Sequence, residues 1–286
     1  MKHLRIILVL AFYLTVSLKG EEQSTEYFKP ANIRKFADYL FEEDQYMKAA
    51  GEYGRYLFRE DSFPQNADSI FFRIALCYRL DKNYKHSIKY FRKIADKYPE
   101  SPLLEDSYLE IGKCYSLMDS FELSNKILKA CLPKELNEKN RTGELMSLNY
   151  MQTKEWDKAR EFLNSSNSSK KQLFSLLEKG ENLPKKNKLA SGLFSAVIPG
   201  SGKFYCNRPA DGFHSFATVS LTCWQAYEGF EEDGIHSVKG WIFGVFGGLL
   251  YLGNIYGSVV AADIYNEEQE IMFKLSVKKY LNENFK

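Results

Sequence analysis

The spacing of hydrophobic and polar residues divides the chain into two regions of different character. From about Glu21 to Lys188, apolar positions recur at helical spacing among many charged residues. From Leu189 to Ala262, apolar residues run together with few charges and most of the glycine of the chain. The first pattern is typical of helices with one buried face, and the second of helices surrounded by lipid. A water-soluble region is therefore expected to precede a membrane-associated one.

One short pattern recurs four times within the first region. Each copy places an aromatic residue three positions before a small residue, and a bulky residue follows four positions later. The copies begin at Tyr46, Tyr84, Phe121 and Trp156, which are separated by 38, 37 and 35 residues, and their small residues are Ala49, Ser87, Ser124 and Ala159. Upstream of each copy lies a second helical pattern. It is seen in two pairs of residues that are three positions apart on one helix face: Ala75 with Tyr78, and Gly112 with Tyr115. This arrangement predicts helix-turn-helix repeats close to the tetratricopeptide period of about 34 residues.

The spacing has a physical reason. A small residue lets the two helices of a pair approach closely, while the aromatic and bulky residues fill the groove against the neighbouring repeat. No single pair buries its apolar face alone, so we expect four stacked pairs over residues 27–180, with a helix near Gln172 to Leu177 covering the last one. Pro99 and Pro102 mark the end of one helix before the next begins.

The segment KYPESPLLEDSYLEIGKCYSL, preceded by NYKHSIKYFRKIAD, resembles the tetratricopeptide repeats of bacterial envelope proteins. The similarity is to the outer-membrane assembly lipoproteins and the Tol-Pal coordinators, which repeat a Tyr-Pro-x-Ser-Pro turn between helices. It covers roughly residues 34–165 and is strongest in the second and third repeats. The resemblance implies an all-α superhelix and a role as a periplasmic scaffold for other envelope proteins or peptides, without naming a partner. The chain departs from the lipoprotein members because no cysteine follows its N-terminal apolar run.

Partner-binding residues of such superhelices usually line the concave face, which the first helix of each pair contributes. The candidates that the sequence offers are exposed charged positions, although each is more often a plain solvated residue: Arg73, Arg79, Glu110 and Lys113.

The first 20 residues have the layout of a secretory signal. Lys2 and Arg5 precede an apolar run from Ile6 to Val16, which is shorter than a membrane span of roughly 20 residues, and the sequence turns polar at Glu21. A buried core segment is the alternative. Export predicts a protein of the cytoplasmic membrane with its repeats on the periplasmic side.

Three apolar stretches follow a basic linker at residues 181–188 and make up a predicted membrane domain at 189–263. The third, VKGWIFGVFGGLLYLGNIYGSVVAA, is long enough to span, the second is less apolar, and Pro199 and Gly200 interrupt the first. An amphipathic tail at 264–286 completes the chain. If the repeats are exported, the flanking charges favour three crossings over two, since three leave the basic tail inside.

The loop PGSGKF is similar to a phosphate-binding loop only superficially. The motif requires a glycine where Val197 stands and a serine or threonine where Phe204 stands, so nucleotide binding is rejected. The longer segment IPGSGKFYCNRPADG instead resembles the signature of small two-helix bacterial membrane domains of the TM2-like type. That resemblance depends on Pro199, Gly200, Gly202, Tyr205 and Gly212, and it implies a helical hairpin but no activity.

Small residues at a spacing of four predict a packing face on the third stretch. Its partner is either the second stretch or another copy of the chain, which would make a homo-oligomer. The residues form two triplets, Gly240, Gly244 and Gly248, then Gly253, Gly257 and Ala261.

The sequence favours a membrane-tethered interaction scaffold over an enzyme. Four scattered histidines and five cysteines without a CxxC pair offer no catalytic or metal site, so no cofactor is expected. The net charge of +2 gives no reason to expect a nucleic-acid partner. The alternative is a transport or insertion component that acts through polar residues in or near the spans: His214, Gln225, Asn254 and Asp263.

Overall fold

A computed structural model describes residues 29–59, 66–130, 139–165 and 171–285, and every regular element within these ranges is a helix. The predicted all-α fold class is confirmed. The proposed secretory signal lies outside the described residues. The chain divides into two compact units, with the first eight described helices in one and the remaining helices in the other.

Four antiparallel helix pairs build the first unit. Each helix packs against its partner, and the second helix of one pair packs against the first helix of the next, as stacked repeats require. The helices are α1 Pro30–Glu42, α2 Tyr46–Arg59, α3 Ala67–Leu80, α4 Tyr84–Lys97, α5 Leu104–Leu117, α6 Phe121–Ala130, α7 Lys139–Gln152 and α8 Trp156–Ser165.

The same turn joins the two helices of every pair. One residue of each turn takes a left-handed backbone conformation, with φ between 57° and 63°, at Asp44, Lys82, Asp119 and Lys154. The amide of the next residue donates to a carbonyl five residues earlier, over 2.8 Å from Asn83 to Tyr78 and 2.9 Å from Ser120 to Tyr115. This bond satisfies a carbonyl at the end of the first helix and reverses the chain within three residues.

The second unit is a helical hairpin with a shorter folded-back segment against it. Its elements are α9 Lys171–Glu181, α10 Lys188–Val197, α11 Ser201–Tyr205, α12 Pro209–Asp233, a 3₁₀ turn Gly234–His236 and α13 Val238–Asn284. The 47 residues of α13 correspond to a length of about 70 Å. The helix predicted to cover the last repeat, α9, groups with this unit and packs against α13. The amphipathic tail is the continuation of α13.

The first apolar stretch folds back on itself instead of following the full length of α13. Lys188, at its start, pairs with Asp263 at 2.6 Å, and the hydroxyl of Tyr205, at its end, accepts from the amide of Asn187 at 3.2 Å. Both ends therefore lie at the same level of α13. Pro199 and Gly200 reverse the chain here after one short helix. The number of membrane crossings stays a prediction.

Among the described helices, α13 is the one that is both long and apolar enough to cross a membrane, by length and composition. The apolar helix α10 is too short to do so. The 25-residue helix α12 runs antiparallel to α13, with Thr222 against Gly247 and Gly229 against Gly240.

Candidate interaction surfaces

Small residues lie face to face where the two helices of each pair cross. The four pairs are Ala37 with Ala49, Ala75 with Ser87, Gly112 with Ser124 and Ser147 with Ala159, and all eight residues are buried. In three pairs a serine hydroxyl donates to the opposite backbone carbonyl: Ser87 to Ala75 at 2.9 Å, Ser124 to Gly112 at 2.8 Å and Ser147 to Ala159 at 2.9 Å. The close approach of the backbones is what the small residues allow. The two residues of every pair are 12 positions apart in the sequence, and this constant spacing is a signal that also identifies Ala37 and Ser147.

The predicted aromatic positions are half-buried along the seams of the first unit. Tyr78 stacks on Tyr90 with ring centroids 5.4 Å apart, and Tyr46 meets Phe41 edge-on at 5.6 Å. The remaining members of the set are also half-buried: Tyr84, Tyr115, Phe121 and Trp156.

Three of the four predicted binding residues form a buried ion cluster, which we call the ion triad: Arg79, Glu110 and Lys113. Glu110 lies 2.7 Å from the Nε of Arg79 and also binds the ammonium of Lys113. The sequence predicted exposed side chains, but α3 and α5 bring these residues together and all three are buried. Burial lowers the pKa of Lys113, and the adjacent Glu110 opposes that shift. The fourth residue, Arg73, is exposed and lies over the ring of Phe41 at 5.1 Å.

A second buried polar cluster joins the last two repeats. Asn149 of α7 accepts from the hydroxyl of Ser116 at 2.6 Å and donates to Ser124 and Asn125 at 2.8 Å each. Nothing in the sequence pattern singled out Asn149, because α7 is buried on nearly all sides from Thr142 to Tyr150 and shows little helical periodicity. These bonds tie α5, α6 and α7 together and satisfy the buried side chain of Asn149.

In the second unit, the glycines of the predicted membrane motif lie where backbones meet. Gly200 has a φ of 86°, and a Cβ on it would lie 2.0 Å from the carbonyl oxygen of Gly212. A Cβ on Gly202 would lie 1.9 Å from the carbonyl oxygen of Ser191. Pro199 is half-buried at the turn before Gly200, and Tyr205 closes the segment. Glycine is therefore required at both positions for the chain to fold back.

A polar network holds this turn against the middle of α13. The side chain of Asn254 accepts from the amide of Gly200 at 3.0 Å and donates to the carbonyl of Ser195 at 3.2 Å. The hydroxyl of Ser191 donates to the carbonyl of Ser258 at 2.7 Å, and the hydroxyls of Ser195 and Ser258 lie 2.6 Å apart. Every member is hydrogen-bonded, as buried polar groups in an apolar surrounding must be.

The packing face of α13 differs from the predicted spacing of four. Four of the buried small and polar residues, Gly240, Gly247, Asn254 and Ala261, are seven positions apart, and Ser258 and Ala262 are buried beside the last two. Of the other predicted positions, Gly244 and Gly257 make ordinary contacts, whereas Gly248 and Gly253 face open space among the described residues. A spacing of seven suits two antiparallel helices that cross at a shallow angle, which explains the difference.

The polar residues considered for transport have different surroundings. Asn254 is occupied by the network, and Asp263 is exposed and paired with Lys188. His214 is exposed and Gln225 is half-buried. Within the described part of the chain, no group of three or more metal-binding side chains comes together.

Comparison with known families finds one match. A tetratricopeptide-repeat profile matches residues 70–101, which run from α3 through α4 and include the left-handed turn at Lys82. The first unit is of the tetratricopeptide-repeat type. The other three helix pairs of the first unit repeat the geometry of the matched pair. A search of the curated proteins found no match.

Proposed function

We propose that this protein is a membrane-tethered scaffold of the bacterial cell envelope, which binds other proteins or peptides through its tetratricopeptide repeats. The observation that carries the proposal is the stack of four helix pairs built on one geometry. Such stacks present a continuous surface made by the first helix of each pair, and this surface is the usual binding site of the architecture. Tetratricopeptide repeats are in general interaction modules and not catalysts, which supports a non-enzymatic role without a cofactor.

The ion triad organises the middle of that surface. Arg79, Glu110 and Lys113 carry two positive charges against one negative charge, in a place where they are largely shielded from water. Because its side chains are buried, the ion triad fixes the packing of the first helices and does not itself reach a partner. Arg73, one turn and a half earlier on α3, is exposed and offers its guanidinium to an acidic side chain of a partner.

The second unit serves as the tether. Helix α13 supplies a span by length and composition, and the antiparallel α12 brings the chain back through the same layer. The fold-back of α10 and α11 enters and leaves at one end, so the linker before Lys188 and the tail after Asp263 belong to the same side of the membrane. This arrangement supports two crossings.

The N-terminal 20 residues support export of the repeats to the outer side of the cytoplasmic membrane. The charges next to the hairpin oppose this orientation. Lys185, Lys186 and Arg208 flank the end that carries the linker, whereas Glu231 and Asp233 lie at the other end. We propose the exported orientation because the first hydrophobic segment of a chain usually dominates its topology.

Site-specific photo-crosslinking in cells of the source organism tests the scaffold. A photoreactive residue at Arg73, on the first-helix surface, is expected to give a discrete adduct that is absent when the residue is placed at Lys85. Lys85 is an exposed lysine on α4, the second helix of the same pair. Adducts that are equal at the two positions, or absent at both while the protein is expressed and membrane-bound, would contradict the proposal.

A further inference from the structure

A cavity of about 410 Å³ opens in the second unit between the turn after α11 and the side of α13. Its lining combines apolar residues, Cys206, Ala261 and Ile264, with polar and charged ones, Asn207, Arg208, Tyr265 and Glu268. Along α13 the apolar residues come first and the charged one last, over about 10 Å of helix. The cavity is therefore amphipathic along the helix axis.

The position of this cavity relative to a bilayer follows from the sequence of α13. The apolar run of the helix ends at Ala262, and Asp263 is its first charged residue after Lys239. Tyr205 and Tyr265 flank this level, and the ammonium of Lys186 lies 4.5 Å and 5.4 Å from their ring centroids. Tyrosine and lysine together are typical of the membrane–water interface. The cavity thus lies at the depth of phospholipid headgroups.

The local backbone aims Arg208 at this cavity. Asn207 has a φ of 61°, a left-handed conformation that asparagine tolerates better than most residues, and the amide of Arg208 donates to the carbonyl of Lys203 at 2.9 Å. The turn ends α11 and starts α12 beside Ala261.

The two charges of the cavity are available for a ligand. The guanidinium of Arg208 pairs with Asp211 at 2.7 Å, but both side chains are nearly half exposed, and such surface pairs contribute little free energy. Glu268 is exposed and has no ion pair or hydrogen bond with any residue that the structure describes. A phosphate therefore has access to Arg208, with Lys186 close by, and an ammonium has access to Glu268.

We propose that this cavity binds the headgroup of a zwitterionic phospholipid with a primary ammonium, of the phosphatidylethanolamine class. Arg208 binds the phosphate, Glu268 accepts hydrogen bonds from the ammonium, and the apolar residues that come first along α13 receive the glycerol end. A volume of about 410 Å³ suits a headgroup but excludes the acyl chains, which stay in the bilayer. The inference depends on the membrane embedding that is part of the proposed function.

Native mass spectrometry of the full chain, released from bilayers with equal amounts of three lipids, tests this assignment. The lipids are dioleoyl phosphatidylethanolamine, phosphatidylcholine and phosphatidylglycerol. We expect one bound phosphatidylethanolamine, retained about fivefold over the other two, because choline cannot donate a hydrogen bond and glycerol carries no charge. Glu268→Gln is expected to abolish the preference, and Arg208→Gln to abolish retention of all three. Glu267→Gln, at the neighbouring exposed acid, leaves both unchanged.

Each contrary outcome has a distinct meaning. Equal retention of the three lipids by the unaltered chain, or equal effects of Glu267→Gln and Glu268→Gln, overturns the headgroup site. Complete displacement of the lipid by soluble phosphoethanolamine also overturns it, because the cavity would then be a site for a free solute. Carbonate extraction of cell membranes is the separate control. A chain that carbonate releases refutes the membrane embedding itself, whereas a retained chain without lipid preference refutes only this inference.

Discussion

Removing the negative charge of the ion triad is expected to destabilise the repeats markedly. The side chains of Arg79, Glu110 and Lys113 are 9%, 10% and 2% exposed. Glu110→Gln keeps the shape of the side chain but leaves two buried cations without a counter-charge. Breaking a buried pair on one side costs about 3–5 kcal/mol. We expect a loss of about 3 kcal/mol, at the low end of this range. Burial already lowers the pKa of Lys113, so this lysine releases its proton more easily than a solvated one.

Hydrogen exchange of the α5 amides in the full chain, kept in a mild detergent, measures this loss. A loss of about 3 kcal/mol corresponds to roughly hundredfold faster exchange of amides that open with the repeats. The control Glu122→Gln changes an exposed acid on α6 and leaves the rates unaltered. The double variant Glu110→Gln with Lys113→Met, which restores the charge balance, recovers at least half of the loss.

The loss of stability also shrinks as the pH rises toward 10.5, the ordinary lysine pKa, because the neutral amine of Lys113 needs no counter-charge. A single variant with unaltered exchange, or a double variant worse than the single, would refute the reasoning.

Three further outcomes follow from the geometry. Lys82→Gly is expected to stabilise the repeats by up to about 1 kcal/mol, because the left-handed backbone conformation at φ 63° is strained for lysine and not for glycine. A lower denaturation temperature of this variant would contradict the prediction. Gly202→Ala should prevent stable folding of the hairpin unit, because a Cβ at this position would overlap the carbonyl oxygen of Ser191. Gly248→Ala adds its methyl group in open space and should leave the detergent-solubilised chain monodisperse in gel filtration. A monodisperse Gly202→Ala variant and an aggregated Gly248→Ala variant would count against the fold-back. In native protein Cys77 is expected to be protected from maleimide at neutral pH, because it is buried and burial raises its pKa to about 12; rapid labelling of Cys77 would indicate an open repeat.

The sequence contained most of the repeat architecture. The recurring aromatic and small residues located all four second helices, because close helix packing imposes a fixed spacing on small side chains. It did not reveal the burial of Arg79, Glu110 and Lys113, since charged residues are buried only when a partner on another helix meets them. Arg79 on α3 and Glu110 on α5 are 31 positions apart in the sequence, so no local sequence pattern indicates that they pair.

The second unit was less predictable for a different reason. Glycine at Gly240, Gly244 and Gly248 marked a helix surface open to close packing, but the choice of surface depended on where α12 and the fold-back lie. Hydropathy could not distinguish a short crossing from a fold-back in the first apolar stretch. The deciding features are Asn254 and the serines that bind the turn, and these are visible only once the chain is folded.

The most direct test of the central claim is the sidedness of three points on the chain in intact cells. Single cysteines replace Lys82 in the repeats, Asp233 at the hairpin end and Lys279 in the tail, with Cys131 and Cys223 changed to serine and the remaining cysteines buried. A membrane-impermeant maleimide, applied after permeabilisation of any outer membrane, is expected to label positions 82 and 279. Position 233 should react only after the cytoplasmic membrane is opened. Labelling of positions 82 and 279 from opposite sides, or of all three from the same side, would contradict a tetratricopeptide-repeat scaffold held by a two-crossing hairpin.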